Sequence, residues 1–401
     1  MILLVDMDAF FASVEQAHHP HLRGRAVIVC GDPSRRGVVT AASYEARPFG
    51  LRAGMALQEA RRLCPHAEYV EGNPDKYVAV SLQLLDLYVT FTPDVEPFSV
   101  DEAFVGLPRT TLDQATRTAR EIQRSIAERF DLGASIGIGP NKLIAKMASG
   151  VHKPRGLTPF DPEAYCAHFW PQPVQELWGV GPQLAVRMRS LGITTVGELA
   201  HAPAEILEGA FGVIGPQLRD AARGHDETPL IPYHQGVPAK SMGHEVTLSR
   251  DSADRERLLG IVLRLSDQVA RRLRTEGYVG RVVALKWRNH RFETRIRQRA
   301  LDEHTDDHAR VFAVARALFE ALWDGNPVRL LGVSVSSLER SASVQAELFE
   351  QGRRTHDLRR ALDRVRDKLG EASVVPAGSL VHRRSLGHVP FGAIGNGRRP
   401  A

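Results

Sequence analysis

Long apolar runs are missing from this sequence. No stretch approaches the roughly 20 consecutive apolar residues that a membrane-spanning helix needs. The first residues, MILLVDMDAFF, lack a basic segment, and Asp6 interrupts the apolar run after five residues. This is unlike a secretory signal peptide. We therefore expect a cytoplasmic protein with no membrane partner.

Cysteine is also scarce. Cys30, Cys64 and Cys166 are widely spaced, odd in number and form no CxxC pair. The pattern indicates neither a disulfide framework nor a zinc site. We expect buried free thiols in a reducing compartment.

Charge of one sign is in only slight excess. The 401 residues include 52 Lys and Arg against 47 Asp and Glu, a net charge of +5. The basic residues are concentrated, however, because residues 240–299 hold 15 Lys and Arg against 7 Asp and Glu. A local basic region on a near-neutral remainder is typical of nucleic-acid binding, although an ordinary solvated surface stays an alternative.

Strand and helix patterns alternate over the first 160 residues, which predicts an α+β or α/β layer. Strands are expected at 2–6, 26–29 and 134–139, and helices at 117–130 and 140–149. Glycine-punctuated short helices are expected at 175–227. Three prolines in residues 228–239 indicate a linker between domains.

Residues 240–340 predict a further unit with the order βαββαβ, a ferredoxin-like order. In its second hairpin strand, arginines recur at alternating positions, so we expect them on one sheet face while the other face packs on the helices. Such a concentration of one sign suits contact with a phosphate backbone. The candidate DNA-binding residues of this unit are Lys240, Arg291, Arg295, Arg297 and Arg299.

Carboxylates follow or interrupt two apolar runs. Asp6 ends the first strand, and Asp101 and Glu102 stand together in PFSVDEAFVGL. Three carboxylates converging from two strands would suit two Mg²⁺ ions, which can stabilise both the attacking and the leaving oxygen of a phosphoryl transfer. A salt-bridged or capping set is the alternative. Strand alternation also puts Asp8 on the side of Asp6, so the pattern cannot choose between them.

Candidate phosphate ligands lie elsewhere in the chain. Tyr44 and Arg47 are three residues apart, which predicts one helix face, and arginine suits phosphate. Lys153, in the loop VHKPRG, is a second candidate. Each of these residues taken singly is more commonly an ordinary surface residue.

Two glycine-rich turns precede helices. In WGVGP, Gly179 and Gly181 would let backbone N–H groups point at an anion. FGVIGP at 211–216 repeats the pattern, and together they look like helix-hairpin-helix grips on a DNA backbone. Simple C-cap glycines are the alternative.

Taken jointly, these motifs resemble the Y-family translesion DNA polymerases of the bacterial DinB class. LLVDMDAFFASVEQ, GVVTAASYEARPFGLRAGM, SVDEAF, SIGIGPNKLIAKMAS, HKPRG and WGVGP follow in the family's order and spacing over about residues 1–340. The resemblance implies an α+β multidomain right-hand fold with a ferredoxin-like palm, small fingers, a helix-hairpin-helix thumb and a βαββαβ little finger. The implied boundaries are palm 1–10 and 75–162, fingers 11–74, thumb 163–230, linker 231–239 and little finger 240–341.

The resemblance also implies roles for single residues. Asp6, Asp101 and Glu102 would be the catalytic carboxylates holding two Mg²⁺ ions, with the Met7 carbonyl as a further ligand. Tyr44, Arg47 and Lys153 would hold the triphosphate of a dNTP, and Phe11 would be the aromatic gate that excludes a ribose 2′-hydroxyl. The implied activity is low-fidelity translesion synthesis on primer–template DNA by a monomer.

The sequence departs from the family at a few positions. Ala41 stands where many relatives have threonine near the phosphates, and FVGL follows the acidic pair where a Tyr-Leu-Asp type of run is frequent. Small residues at Ala41, Ala42 and Gly54 imply an open roof over the nascent base pair.

Residues 345–349, QAELF, resemble the peptide by which bacterial polymerases dock on the sliding clamp. Gln345 would bind the rim of a pocket that Leu348 and Phe349 fill; an ordinary helix start is the alternative. We assign 342–401 to this peptide and a basic tail.

Two rival functions remain open. A catalytically silent DNA- and clamp-binding scaffold of the same family would be expected to lose the acidic triad, which this chain keeps. A palm-like nucleotide cyclase would have no use for the basic surface or the glycine turns.

Overall fold

The computed structural model of this protein describes residues 1–341 and 350–380, with their side chains except those of residues 350–356. By internal packing these residues form two units, one of residues 1–237 and one that starts at Pro238. Within the described ranges, no helix combines the length and the apolar character that crossing a bilayer requires.

Strands and helices alternate in the first unit, as its sequence predicts. Its strands are β1 (Ile2–Met7), β2 (Val27–Cys30), β3 (Val39–Ala42), β4 (Glu68–Glu71), β5 (Val95–Pro97), β6 (Glu102–Gly106), β7 (Ala134–Gly139) and β8 (Leu157–Pro159). Its α-helices are α1 (Phe10–His18), α2 (Leu57–Leu63), α3 (Pro74–Val89), α4 (Leu112–Phe130), α5 (Lys142–Ser149), α6 (Pro162–Phe169), α7 (Pro182–Ser190), α8 (Val196–His201), α9 (Ala204–Phe211) and α10 (Ile214–Ala222).

β1 is the central strand of the larger sheet. Its sheet has the order β5-β6-β1-β7-β8, whereas a smaller sheet has the order β3-β2-β4. β1 is antiparallel to both β6 and β7. Leu3, Leu4 and Val5 are fully buried, because both faces of this strand are covered. Groups at the end of β1 therefore stand on a rigid apolar support.

The helices beside this sheet start where polar residues cap them. α4 begins five residues before the predicted 117–130, because Thr111 and Gln114 form a capping box. α5 begins two residues later than predicted, since Asn141 caps it. It packs so closely on β7 that a Cβ atom at Gly137 would lie 2.0 Å from the Ala145 carbonyl oxygen.

Helices α6 to α10 pack around a separate apolar core that includes the fully buried Tyr165. Their short lengths confirm the prediction for residues 175–227. The chain then returns to the larger sheet, where Glu96 on β5 accepts hydrogen bonds from Lys142 at 2.7 Å and from the Ile231 amide at 2.7 Å. These bonds fix the end of the helical segment to β5.

The second unit confirms the predicted order βαββαβ. Its sheet has the order β11-β10-β12-β9 with antiparallel neighbours, so β9 and β10 run parallel with β12 between them, as in a split βαβ unit. Trp287 and Phe319 are fully buried in its core. The elements are β9 (Ser241–Ser252), α11 (Arg255–Glu276), β10 (Tyr278–Asn289), β11 (Thr294–Thr305), α12 (His308–Leu322), β12 (Val328–Arg340) and α13 (Glu350–Leu369).

α13 packs on α11 through charged side chains. Arg366 and Asp267 are both buried and approach to 2.9 Å. Asp363 accepts from the Arg274 guanidinium at 2.6 and 3.0 Å, and Arg271 donates to Asp367 at 2.7 Å. The part of the predicted basic tail that forms α13 is therefore bound to the second unit by ion pairs.

Candidate active site

Asp6 and Glu102 stand side by side where β1 and β6 meet. They are direct partners in the antiparallel register of the two strands. Asp6 forms an ion pair with Lys153, and Glu102 forms one with Lys146. Burial raises the pKa of Asp6 to about 6; the Lys153 charge opposes this rise and the Glu102 charge adds to it.

Asp101 occupies the turn just before β6. Its backbone carbonyl accepts from the Met7 amide at 2.9 Å, which ties the turn to the end of β1. The Ser99 hydroxyl donates to its carboxylate at 2.5 Å. Asp101 thus lies next to the Asp6–Glu102 pair, with its carboxylate bound within its own turn.

These three carboxylates open into one cleft of about 610 Å³. Seven of the residues predicted for the site line this cleft, and small side chains of the first unit line it as well. The seven are Asp6, Met7, Phe11, Arg47, Asp101, Glu102 and Lys153.

The donor set suits divalent cations. Carboxylate oxygens are the ligands that Mg²⁺ prefers, and Asp6 and Glu102 each already hold one cationic lysine group. In the described parts of the chain, no three His, Cys, Asp or Glu side chains are gathered closely enough to hold one metal ion. In this site, the reason is that each carboxylate faces its own partner. By their chemistry, Asp6, Asp101 and Glu102 would suit divalent ions, which would replace the lysine ammonium groups as the cationic partners of Asp6 and Glu102.

Asp8 is separated from this site, although strand alternation alone could not distinguish it from Asp6. It is buried, and its carboxylate accepts from the Tyr44 hydroxyl at 3.2 Å, the Ser135 hydroxyl at 2.8 Å and the Arg155 amide at 2.7 Å. It does not line the cleft that holds Asp6. Sequence reasoning did not predict that Asp8 is a buried acceptor of three hydrogen bonds. The only signal for it was that it is the second acid of the run VDMDAF.

Tyr44 and Arg47 are in contact, but not on the face of one α-helix. Tyr44 lies in a turn after β3, and Arg47 opens a 3₁₀ helix, Arg47–Phe49. The predicted helix is wrong here because Pro48 follows directly and only a short turn forms. The Arg47 guanidinium lies 3.9 Å from the centre of the Tyr44 ring. Burial and the Asp8 charge raise the pKa of Tyr44 to about 12, so the phenol keeps its proton at neutral pH.

Phe11 is supported from behind by a second ring. Tyr77 stacks on it with ring centres 4.3 Å apart and an angle of 16° between the ring planes. The Tyr77 hydroxyl donates to buried Glu15 at 2.7 Å, and Lys76 pairs with the same carboxylate. Sequence reasoning did not identify Tyr77, which lies far from any recognised motif. It also missed Glu15, which stands inside the motif LLVDMDAFFASVEQ but whose partners Lys76 and Tyr77 come more than 60 residues later.

Two family models match this chain. The impB/mucB/samB family matches residues 5–150, and the C-terminal domain of that family matches residues 239–348. The chain is 42% identical to DNA polymerase IV of Moorella thermoacetica over 384 residues, covering 94% of this chain and 96% of the relative. It is 39% identical to DNA polymerase IV of Pelotomaculum thermopropionicum, covering 94% and 95%. The chain belongs to the DinB class of Y-family DNA polymerases.

A solved structure agrees with the fold of this class. A Y-family DNA polymerase chimera of Dbh and Dpo4 matches with a TM-score of 0.74 and 24% identity, covering 84% of this chain and 98% of the chimera. This likeness confirms the predicted α+β right-hand architecture. Y-family DNA polymerases generally use divalent metal ions, which agrees with the carboxylate chemistry above.

The glycine turns of this Y-family chain differ in how they are built. Gly179 has φ 98°, a left-handed value that favours glycine, and Gly181 is the N-cap of α7. Nothing lies within 4 Å of a Cβ atom built on Gly181, so the backbone there is open to a ligand. In the second turn, Gly212 has φ 66° and a Cβ atom on Gly215 would lie 2.3 Å from the Leu207 carbonyl oxygen.

Three arginines of the second unit share a sheet face, but not the predicted one. Arg295, Arg297 and Arg299, called here the β11 arginines, are exposed and pair with Trp287, Leu285 and Val283. Directly opposed residues of antiparallel strands point to the same face, so the β11 arginines lie on the side of the helix-packed core. The predicted opposite face is wrong, because β11 is an edge strand whose arginines remain accessible beside the helices.

The other candidates of this unit lie outside the strand. Arg291 is in the turn between β10 and β11, and Lys240 is exposed just before β9. Gln345, Leu348 and Phe349 fall outside the described residues.

Proposed function

We propose that this chain is a DNA-templated DNA polymerase that carries out low-fidelity translesion synthesis. The observation that carries the proposal is one cleft lined by the carboxylates Asp6, Asp101 and Glu102 together with Arg47, Lys153 and Phe11. This arrangement brings acidic groups for a reacting centre and cationic groups for a triphosphate into one space. The family membership places it on a polymerase fold.

In the proposed reaction, the primer 3′-oxygen attacks the α-phosphorus of a dNTP and pyrophosphate leaves. Arg47 and Lys153 bind the triphosphate through charge-assisted hydrogen bonds, and Tyr44 keeps Arg47 oriented by stacking. Asp6, Asp101 and Glu102, with the Met7 carbonyl, are the proposed ligands of two Mg²⁺ ions. When bound, two such ions stabilise the charge on the attacking and leaving oxygens.

Phe11 is the proposed sugar gate. Its ring lines the cleft and cannot retreat, because Tyr77 stacks directly behind it. A ribose 2′-hydroxyl would have to displace the Phe11 ring from this stack, so deoxynucleotides are favoured.

Part of the cleft is lined by small residues, and this part is proposed to tolerate damaged templates. Ala41, Ala42, Gly50 and Ala53 line it, and nothing lies within 4 Å of a Cβ atom built on Gly50 or Gly54. Small side chains leave room for bulky adducts, at the expense of selecting for the shape of a correct base pair.

Primer–template DNA is the proposed macromolecular partner. The first glycine turn and the β11 arginines supply backbone amides and positive charge for phosphates. Residues 345–349 are the proposed docking peptide for a sliding clamp, and we propose that the protein acts as a monomer in the cytoplasm.

Primer extension tests the activity directly. Purified protein, Mg²⁺ and four dNTPs are combined with a primed template that is undamaged or carries one minor-groove guanine adduct. We expect distributive extension past the adduct, its loss in Asp101→Ala, and its retention in Asp113→Asn, an exposed carboxylate on α4. Tight duplex binding without extension would instead favour the catalytically silent scaffold.

A further inference from the structure

Asp8 is a buried carboxylate that accepts hydrogen bonds from three neutral donors. The hydroxyls of Tyr44 and Ser135 donate to Oδ1, and the backbone amide of Arg155 donates to Oδ2. Its own backbone is held as well, since its amide donates to the Gly133 carbonyl at 2.9 Å and its carbonyl accepts from Ser13 at 2.6 Å. A buried charge is costly unless such hydrogen bonds are made, so this carboxylate requires all three donors to be in place.

The three donors come from three separate parts of the first unit. Ser135 belongs to β7, which is the neighbour of β1. Tyr44 belongs to the turn after β3 of the smaller sheet, and Arg155 to the loop between α5 and β8. One carboxylate therefore joins the central strands to a turn and a loop that are distant from each other in sequence.

That turn and that loop carry the cationic groups proposed to bind the triphosphate. Tyr44 stacks on the Arg47 guanidinium at 3.9 Å, and Lys153 is two residues before the amide that Asp8 accepts from. Asp8 itself is two residues after Asp6. The hydrogen bonds of Asp8 thus connect the end of β1, which carries Asp6, with the turn beside Arg47 and the loop that holds Lys153.

We propose that Asp8 is a positioning residue for nucleotide binding, which fixes Arg47, through Tyr44, and Lys153 relative to the catalytic carboxylates. It acts through these residues and does not itself contact the dNTP. The inference rests on the proposed polymerase function, and it adds a residue whose effect should fall on nucleotide affinity rather than on the chemical step.

Asp8→Asn tests the proposal with little change in volume. Asparagine keeps one acceptor oxygen but turns an NH₂ group toward a donor, so one hydrogen bond is lost and a repulsion takes its place. We expect the KM for dNTP in single-nucleotide insertion to rise about 10-fold while kcat changes less than about 3-fold. The dissociation constant of dNTP from the complex with a dideoxy-terminated primer should rise by a similar factor.

Two further variants separate positioning from stability. Glu96→Gln changes a carboxylate of the same unit that accepts from Lys142 and from a backbone amide, and we expect it to lower thermal stability without raising the KM. Ser135→Ala removes one donor to Asp8 that has no other proposed part in nucleotide binding. It should raise the KM about 3-fold, and it decides the question if Asp8→Asn does not fold.

The outcomes are distinct. An unchanged KM and dNTP affinity in Asp8→Asn, with an active wild type, would overturn the proposal. So would equal KM increases in Asp8→Asn and Glu96→Gln, because the effect would then follow general destabilisation. A wild-type protein that does not extend a primer would instead refute the proposed function itself.

Discussion

Replacing Tyr77 with leucine should weaken the rejection of ribonucleotides while leaving Phe11 itself in place. The Phe11 ring is stacked on Tyr77 at 4.3 Å, and Tyr77 is 2% exposed and anchored to Glu15. To admit a 2′-hydroxyl, the Phe11 ring must leave this stack, and an aromatic pair of this kind contributes about 0.5–1.5 kcal/mol. Loss of the stack should therefore lower the discrimination between dNTP and rNTP about 2- to 12-fold.

The assay is single-nucleotide insertion opposite an undamaged template base, with kcat/KM measured for the dNTP and for the matching rNTP. Phe11→Ala removes the gate and should lower the ratio further than Tyr77→Leu does. Tyr77→Phe keeps the ring and should stay close to the wild-type ratio. The matched control is Tyr165→Leu, a fully buried tyrosine in the separate core of α6 to α10, which should not change the ratio.

Two results would refute this reasoning. If Phe11→Ala lowers the ratio and Tyr77→Leu does not, the ring behind the gate does not hold it. If Tyr165→Leu lowers the ratio as much as Tyr77→Leu, the effect follows from general loss of stability rather than from stacking.

Three further predictions concern DNA, the second unit and the clamp. Changing the β11 arginines together to glutamine should lower the affinity for primer–template DNA. In a salt titration, the slope of the logarithm of the binding constant against the logarithm of the salt concentration should become less steep by about 2 to 3. An unchanged slope would show that these arginines do not contact phosphate. Arg366→Met leaves Asp267 buried without its partner and should destabilise the second unit by about 3–5 kcal/mol in denaturant unfolding. If the variant has the same free energy of unfolding as the wild type, the Arg366–Asp267 pair is exposed to water in solution. Alanine at both Leu348 and Phe349 should abolish clamp stimulation of primer extension but not clamp-free extension; stimulation that persists would exclude this peptide.

Periodic elements were predictable because their signal is local. β7 lies at its predicted residues 134–139, and α11 is the first helix of the predicted βαββαβ order, since local apolar patterns identify both elements without reference to the rest of the fold. The start of α4 was not predictable from periodicity, because its first turn is polar and is set by the Thr111–Gln114 capping box. The predicted helix through Tyr44 and Arg47 was wrong for a related reason, as the spacing matched but Pro48 left only a 3₁₀ turn.

Contacts between segments that are distant in sequence could not be predicted from the pattern of a single strand. Alternation correctly puts the β11 arginines on one face, but only the register with β10 shows that this face is shared with buried Trp287. In the same way, the motif around Phe11 does not predict that Tyr77, 66 residues later, stacks on its ring. Both relations depend on how separate segments meet, which local spacing does not contain.

The end of β1 shows why two acids that strand alternation cannot distinguish have different surroundings. Strand alternation puts Asp6 and Asp8 on the same side, but β1 ends at Met7, and Ala9 has φ 47°, a left-handed value that turns the chain into α1. Alternation no longer applies beyond Met7, so Asp8 points toward Ser135, Tyr44 and the Arg155 amide instead of the cleft. Asp6, still within the strand, pairs with Glu102 and meets a lysine. The chemical difference between the two carboxylates thus follows from where one strand stops.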